Sequence, residues 1–102
     1  MHVMLLCMDR EDAGQLRAET RPAHLQYIRA HAAQILTCGP ILGGYDETMI
    51  GSLYLLDVES RDAAERFSRD DPYAIAGLFK TVTIAAWTRV LPDNTGAAQA
   101  GG

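Results

Sequence analysis

The chain opens with HVMLLCM at residues 2–8, an apolar run closed by the polar DRED. It is too short for a helix and is expected to be a largely buried strand. The next stretch, AGQLRAETRPAHLQYIRAHAAQIL, is rich in helix formers. In it Leu25, Ile28, Ala32, Ile35 and Leu36 recur at helical steps and predict one apolar stripe on a long helix. Proline is tolerated in a first helical turn, so Pro22 predicts that the regular helix begins there and that AGQLRAET is a loop or a separate turn. TCGPILGG at 37–44 carries helix-ending glycine and proline and predicts a short edge strand, because Pro40 cannot donate to a ladder. YDET is a candidate hairpin turn before the β-rich MIGSLYLLDV at 49–58.

Ser60 is a candidate N-cap for a second helix carrying Ala63, Ala64 and Phe67 at helical spacing. DPYAIAGLF predicts a short capped helix or turn, with Asp71 accepting a backbone N–H and Pro72 at the first helical position. FKTVTIAAWTRVL at 79–91 alternates Val82, Ile84 and Ala86 with Thr81, Thr83 and Ala85 and predicts a long final strand. The remainder, 92–102, is too small and polar to pack and is expected to be a flexible tail. The order is β-α-β-β-α-β, an α+β, ferredoxin-like subunit with helices on one face of an antiparallel sheet. Strand one is apolar on both faces, Val3, Leu5 and Cys7 on one and Met4, Leu6 and Met8 on the other. A second copy of the sheet in a two-fold homodimer would cover the bare side.

Length and composition sharpen this picture. With 102 residues, 48% hydrophobic and 22% charged, the chain is one ordinary globular domain, expected over 1–91, and burial would be marginal if it stayed alone. A net charge of -4, with nine scattered Lys and Arg, gives no basic stripe and argues against nucleic acid as a partner. No apolar run approaches the roughly 18 residues needed to cross a bilayer, so no membrane partner is expected. MHVMLLCMDR turns charged too soon for a secretory signal, which predicts a cytoplasmic protein. Cys7 and Cys38 lack CxxC spacing and are read as small buried hydrophobes.

Two histidines stand out. His24 and His31, seven positions apart, would lie about 10 Å apart along one helical side with Ile28 and Ile35, too far for one metal ion. No metal and no cofactor are expected. His31 is read as a partly exposed surface histidine. His24, placed near the helix N-terminus by the Pro22 start, would be kept neutral by the helix macrodipole and free to accept a proton as a general base. Asp71 is compatible with both capping and catalysis, since a fixed, ionised carboxylate orients a histidine tautomer. Tyr73 is read as an aromatic wall or a hydroxyl donor. Ser52 follows Gly51 on the central strand, where a ligand or another strand can approach closely, and is a candidate substrate donor without a nucleophile elbow. Arg21 is a candidate carboxylate clamp, or a partner for Glu19. Gly43-Gly44 lacks the context of a phosphate loop, and Trp87 is read as core or interface packing.

Taken in order, RPAHL near the start of the long helix, GP after it, GS on the third strand and DPYAIAGLF before the last strand resemble the YciI-like (YCII-related) family over residues 2–91. The resemblance implies a dimeric α/β barrel of ferredoxin-like subunits. It also implies an active-site histidine and aspartate at His24 and Asp71, with Ser52 in the pocket. One branch of the family is similar to enzymes acting on chlorinated hydroxyquinols. The reading that follows is a metal-independent enzyme of the lyase, isomerase or dehalogenase kind, using a His24–Asp71 acid/base pair on an oxygenated ring or similar small molecule, with Ser52, Tyr73 and Arg21 lining the pocket. The alternatives are a dimeric ligand-binding or accessory protein and a cofactor-free monooxygenase.

Overall fold

The computed structural model describes residues 1–44 and 47–93. Strand β1 spans His2–Asp9, helix α1 Gly14–Ala30, strand β2 Ile35–Leu42 and strand β3 Met49–Asp57. Helix α2 spans Arg61–Asp70, the one-turn helix α3 Pro72–Ile75 and strand β4 Phe79–Ala86. The four strands form one antiparallel sheet in the order β2-β3-β1-β4, the ferredoxin-like arrangement expected from the sequence. Pro40 is on edge strand β2, paired with Ser52 on β3.

The period-two pattern of β1 divides the sheet as predicted. Val3, Leu5 and Cys7 pair with Leu56, Tyr54 and Ser52 of β3, and this face packs on Ala63, Ala64 and Phe67 of α2. Met4, Leu6 and Met8 pair with Leu55, Leu53 and Gly51 on the opposite face, where β1 is only half-buried and Leu53 is exposed. Gly51 is required by a close approach: a Cβ there would stand 2.7 Å from the Cys7 carbonyl oxygen of the neighbouring strand. Ser60 caps α2 by accepting from the Ala63 N–H at 3.1 Å, and Asp71 caps α3 with Pro72 at its first position, both as expected.

Helix α1 departs from the sequence reading at both ends. It begins at Gly14, directly after its N-cap Ala13, so GQLRAET is helical and Pro22 lies inside the helix. Pro22 and Ala18, whose carbonyl loses its i+4 partner, are both exposed, so water can satisfy that oxygen. The helix ends at Ala30; Ile35 then pairs with Leu56 of β3, and sheet pairing overrides the helical periodicity of Ile35 and Leu36. His24 and Ile28 therefore share a helix face, but His31 caps the helix end and Ile35 starts β2. Strand β4 stops at Ala86 rather than 91, because its last pair is with Val3 and β1 starts one residue earlier; Trp87 follows the strand and donates its backbone N–H to His2. Cys7 is buried as expected, whereas Cys38 is only partly so. The predicted YDET turn includes Tyr45 and Asp46, and most of the tail lies beyond 93, both outside the described residues.

Candidate active site

The 17-residue length of α1 presents Arg17, Arg21, His24 and Ile28 along one side, at steps of four, three and four. That side faces Cys38, Gly39 and Pro40 on β2, Ser52 and Tyr54 on β3, and Tyr73 on α3 across a cavity of about 170 Å³. Its volume is close to the ~150 Å³ that admits benzene, which suits one substituted six-membered ring. A larger and more open hollow, about 580 Å³, lies elsewhere between Met1, Gln34, Asp57, Glu59 and Arg66.

At the cavity wall His24 Nδ1 lies 2.9 and 3.0 Å from the two oxygens of Asp71. Both residues are buried, with 7% and 2% of their surfaces exposed. A carboxylate can only accept here, so Nδ1 donates, and in the neutral imidazole the lone pair is then on Nε2. Asp71 Oδ1 also accepts the Tyr73 backbone N–H at 2.9 Å, and Oδ2 accepts the Tyr54 hydroxyl at 3.0 Å. The helix cap and the histidine orienter are thus one side chain. His24 sits eleven residues into α1, beyond the reach of the N-terminal dipole, so the macrodipole argument from the sequence does not apply. Its environment comes from side chains instead. The Tyr73 ring stacks on the imidazole with centroids 4.0 Å apart and planes at 18°, and the Tyr54 ring meets it edge-on at 6.1 Å.

A second buried network adjoins the first. Arg17 donates from Nε and Nη2 to Asp9 at 2.7 and 2.9 Å, and from Nη2 to Ser52 Oγ at 2.9 Å. The same guanidinium lies 4.6 Å from the centre of the Tyr73 ring. Burial works against the Arg17 charge, but the hydrogen bonds and charge of Asp9 outweigh it and hold the guanidinium protonated more firmly than usual. Burial, followed by the Asp71 charge, pushes the Tyr54 hydroxyl far above the ordinary phenol range, so it remains a donor. The Tyr73 hydroxyl is also raised by burial, against the opposing pull of Arg17 and Arg21. It is buried and makes no hydrogen bond of regular geometry among the described residues.

The five residues expected in the site, His24, Asp71, Ser52, Tyr73 and Arg21, come together at this cavity or its wall. Ser52 accepts from Arg17, a partner the sequence reading did not supply. Arg21 borders the cavity and has no ion pair with Glu19, which instead accepts from Gln15 at 2.9 Å. Arg17, Asp9 and Tyr54 were not anticipated. Starting α1 at Gly14 would have aligned Arg17 with Arg21 and His24, and the alternation of β3 places Tyr54 on the face of Ser52. Asp9 carried no comparable signal, because it looked like the polar end of a strand. His31 stands apart and donates from Nδ1 to the Tyr27 carbonyl at 2.8 Å.

Residues 1–88 match the YCII-related domain family. The chain belongs to that family. Among curated proteins it is 28% identical to Protein YciI of Escherichia coli and of Shigella flexneri, over 88% of this chain and 99% of each relative. Among solved structures it is similar to 5-chloro-2-hydroxyhydroquinone dehydrochlorinase (TftG) from Burkholderia phenoliruptrix, in complex with 2,5-dihydroxybenzoquinone. That match has a TM-score of 0.81 and 34% identity and covers 86% of this chain and 94% of the other. This YCII-related chain therefore shares its α+β fold with an enzyme that acts on a single oxygenated ring. Among the described residues no helix is long and apolar enough to cross a membrane, and no group of three or more His, Cys, Asp or Glu side chains is gathered for a metal ion.

Proposed function

We propose that this protein is a small-molecule enzyme of the lyase or dehalogenase kind, in which His24 and Asp71 act as a general acid/base pair on a single oxygenated ring. The observation that carries the reading is the buried 2.9 Å contact between His24 Nδ1 and Asp71 at the wall of a cavity of one-ring size. Asp71 holds the Nδ1–H tautomer and stabilises the imidazolium that forms; Nε2 takes the substrate proton. The electron pair released moves into the ring system, and a leaving group such as chloride departs with its own bonding pair. The proton then returns from Nε2 to solvent or product. Tyr73, whose buried hydroxyl makes no hydrogen bond of regular geometry among the described residues, would supply a hydrogen bond to a ring oxygen, and Arg21 would favour an anionic one. Ser52 would border the ring while anchoring Arg17.

A homodimer belongs to this proposal. The exposed Leu53 and the half-buried Met4, Leu6 and Met8 form an apolar sheet face, and a second copy of the same face is self-complementary.

The test is anaerobic incubation with 5-chloro-2-hydroxyhydroquinone, the substrate in the name of the similar dehydrochlorinase, with chloride release as the readout. The expected outcome is catalytic release that falls by ~10²-fold or more in a folded His24→Gln variant. Full activity in that variant would remove His24 from the mechanism. Saturable binding without chloride release would favour the ligand-binding reading, with the same cavity serving as a receptor.

A further inference from the structure

The Asp71 carboxylate has more donors than orienting a histidine requires. Its Oδ1 accepts the Tyr73 backbone N–H, its two oxygens share His24 Nδ1–H, and its Oδ2 accepts the Tyr54 hydroxyl. We propose that Tyr54 is a positioning residue: by holding Asp71 Oδ2, its hydroxyl limits how strongly the carboxylate draws a second proton onto His24. This keeps the imidazole a base rather than a standing imidazolium, and it rests on the dyad reading given above.

The physical argument is one of charge sharing. In a dry site a carboxylate stabilises an adjacent imidazolium strongly, and each further donor disperses its negative charge and weakens that pull. Tyr54 suits the task because it is fixed and permanent. Its residue is 1% exposed, on a central strand, with its ring packed edge-on against Phe67 at 5.6 Å and against His24. Its hydroxyl stays protonated at every pH at which the protein would work, since burial and the Asp71 charge both oppose the phenolate.

The other charged or titratable groups around the imidazole are distributed over each neighbouring element. Arg17 and Arg21 on α1 oppose the imidazolium, and Asp9 on β1 carries the opposite charge against Arg17. Cys7 on β1 and Cys38 on β2 are held neutral by burial, and the Tyr73 hydroxyl on α3 is raised. Tyr54 alone among these side chains donates directly to Asp71 besides His24. Removing its oxygen therefore changes the carboxylate without changing the charge count of the site.

The test is an NMR titration of the His24 ring in the full chain, without substrate, for the wild type, Tyr54→Phe and Tyr27→Phe. Tyr27 is a control, because its hydroxyl donates to the Phe67 carbonyl, away from the dyad. In Tyr54→Phe the His24 midpoint is expected to rise by roughly 0.5–1 pH unit, and in Tyr27→Phe it should stay with the wild type. A folded Tyr54→Phe with an unmoved or lowered midpoint overturns the proposal. Should that variant fail to fold, the wild-type Tyr54 hydroxyl proton decides: it should exchange slowly and follow the His24 titration, and a hydroxyl resonance that does neither rejects the role. A raised midpoint together with full turnover in His24→Gln would sink the catalytic reading while leaving this one intact.

Discussion

Arg17 and Asp9 form a two-pronged ion pair inside the protein, with Nε–Oδ2 at 2.7 Å and both side chains almost wholly enclosed. The pair joins the first turn of α1 to the end of β1, and through Ser52 it reaches β3. A buried pair gains little over apolar replacements, but stripping one partner leaves an uncompensated charge. Asp9→Asn or Arg17→Met alone should cost about 3–5 kcal/mol in chemical denaturation. The double variant should lose much less than the two losses added together. Additive losses would show that the two side chains are not energetically coupled.

The Tyr73 hydroxyl, without a hydrogen bond of regular geometry among the described residues, leads to a second expectation. A buried phenol without a well-formed hydrogen bond contributes little to the ligand-free protein, so Tyr73→Phe should be neutral or more stable, by up to ~1 kcal/mol. The same change should weaken binding of the ring ligand by roughly 3–10-fold, the worth of one neutral hydrogen bond. Thermal unfolding with and without ligand checks both halves. A marked loss of stability without ligand would mean that the hydroxyl already has a partner.

Alkaline pH should destabilise the fold through Cys7. Burial is the main cause that raises its thiol from 9.0 to about 12, with Asp71 adding to it. Below the unfolded-state value the thiol is neutral in both states, and its full contribution is present. Between about pH 9 and 12 only the unfolded chain ionises, so stability falls by up to ~1.4 kcal/mol per pH unit for this group. Urea denaturation between about pH 8 and 11 should therefore show a shallower decline for Cys7→Ala, although that variant starts from a lower stability near neutrality. Equal slopes for the two proteins would contradict the assignment.

The proposed dimer is tested on the outer face of the sheet. Leu53 is 37% exposed in the single chain and stands opposite Leu6. Leu53→Glu places a charge where a second sheet would pack, and light scattering should report a dimer for the wild type and a monomer for the variant. A monomeric wild type would rule out the self-complementary face.

The sequence by itself determined the strand faces, the caps at Ser60 and Asp71, and the close approach that Gly51 allows beside Ser52. Those features follow from local rules: side-chain alternation, backbone donors at a helix start, and the absent Cβ of glycine. It misjudged α1 because local preference treats Pro22 as a start, whereas the folded helix exposes that turn to water and anchors an earlier one through Arg17 and Asp9. It also extended α1 through Ile35, where pairing with Leu56 of β3 decided otherwise.

Only the tertiary structure brought Asp9, Arg17 and Tyr54 into the site, since their partners lie 8, 8 and 17 residues away. Contacts at such separations depend on how α1 and α3 pack over the sheet. The same packing makes His24 a candidate base for a reason different from the local one: an anionic neighbour and a stacked aromatic ring surround it, not a helix end.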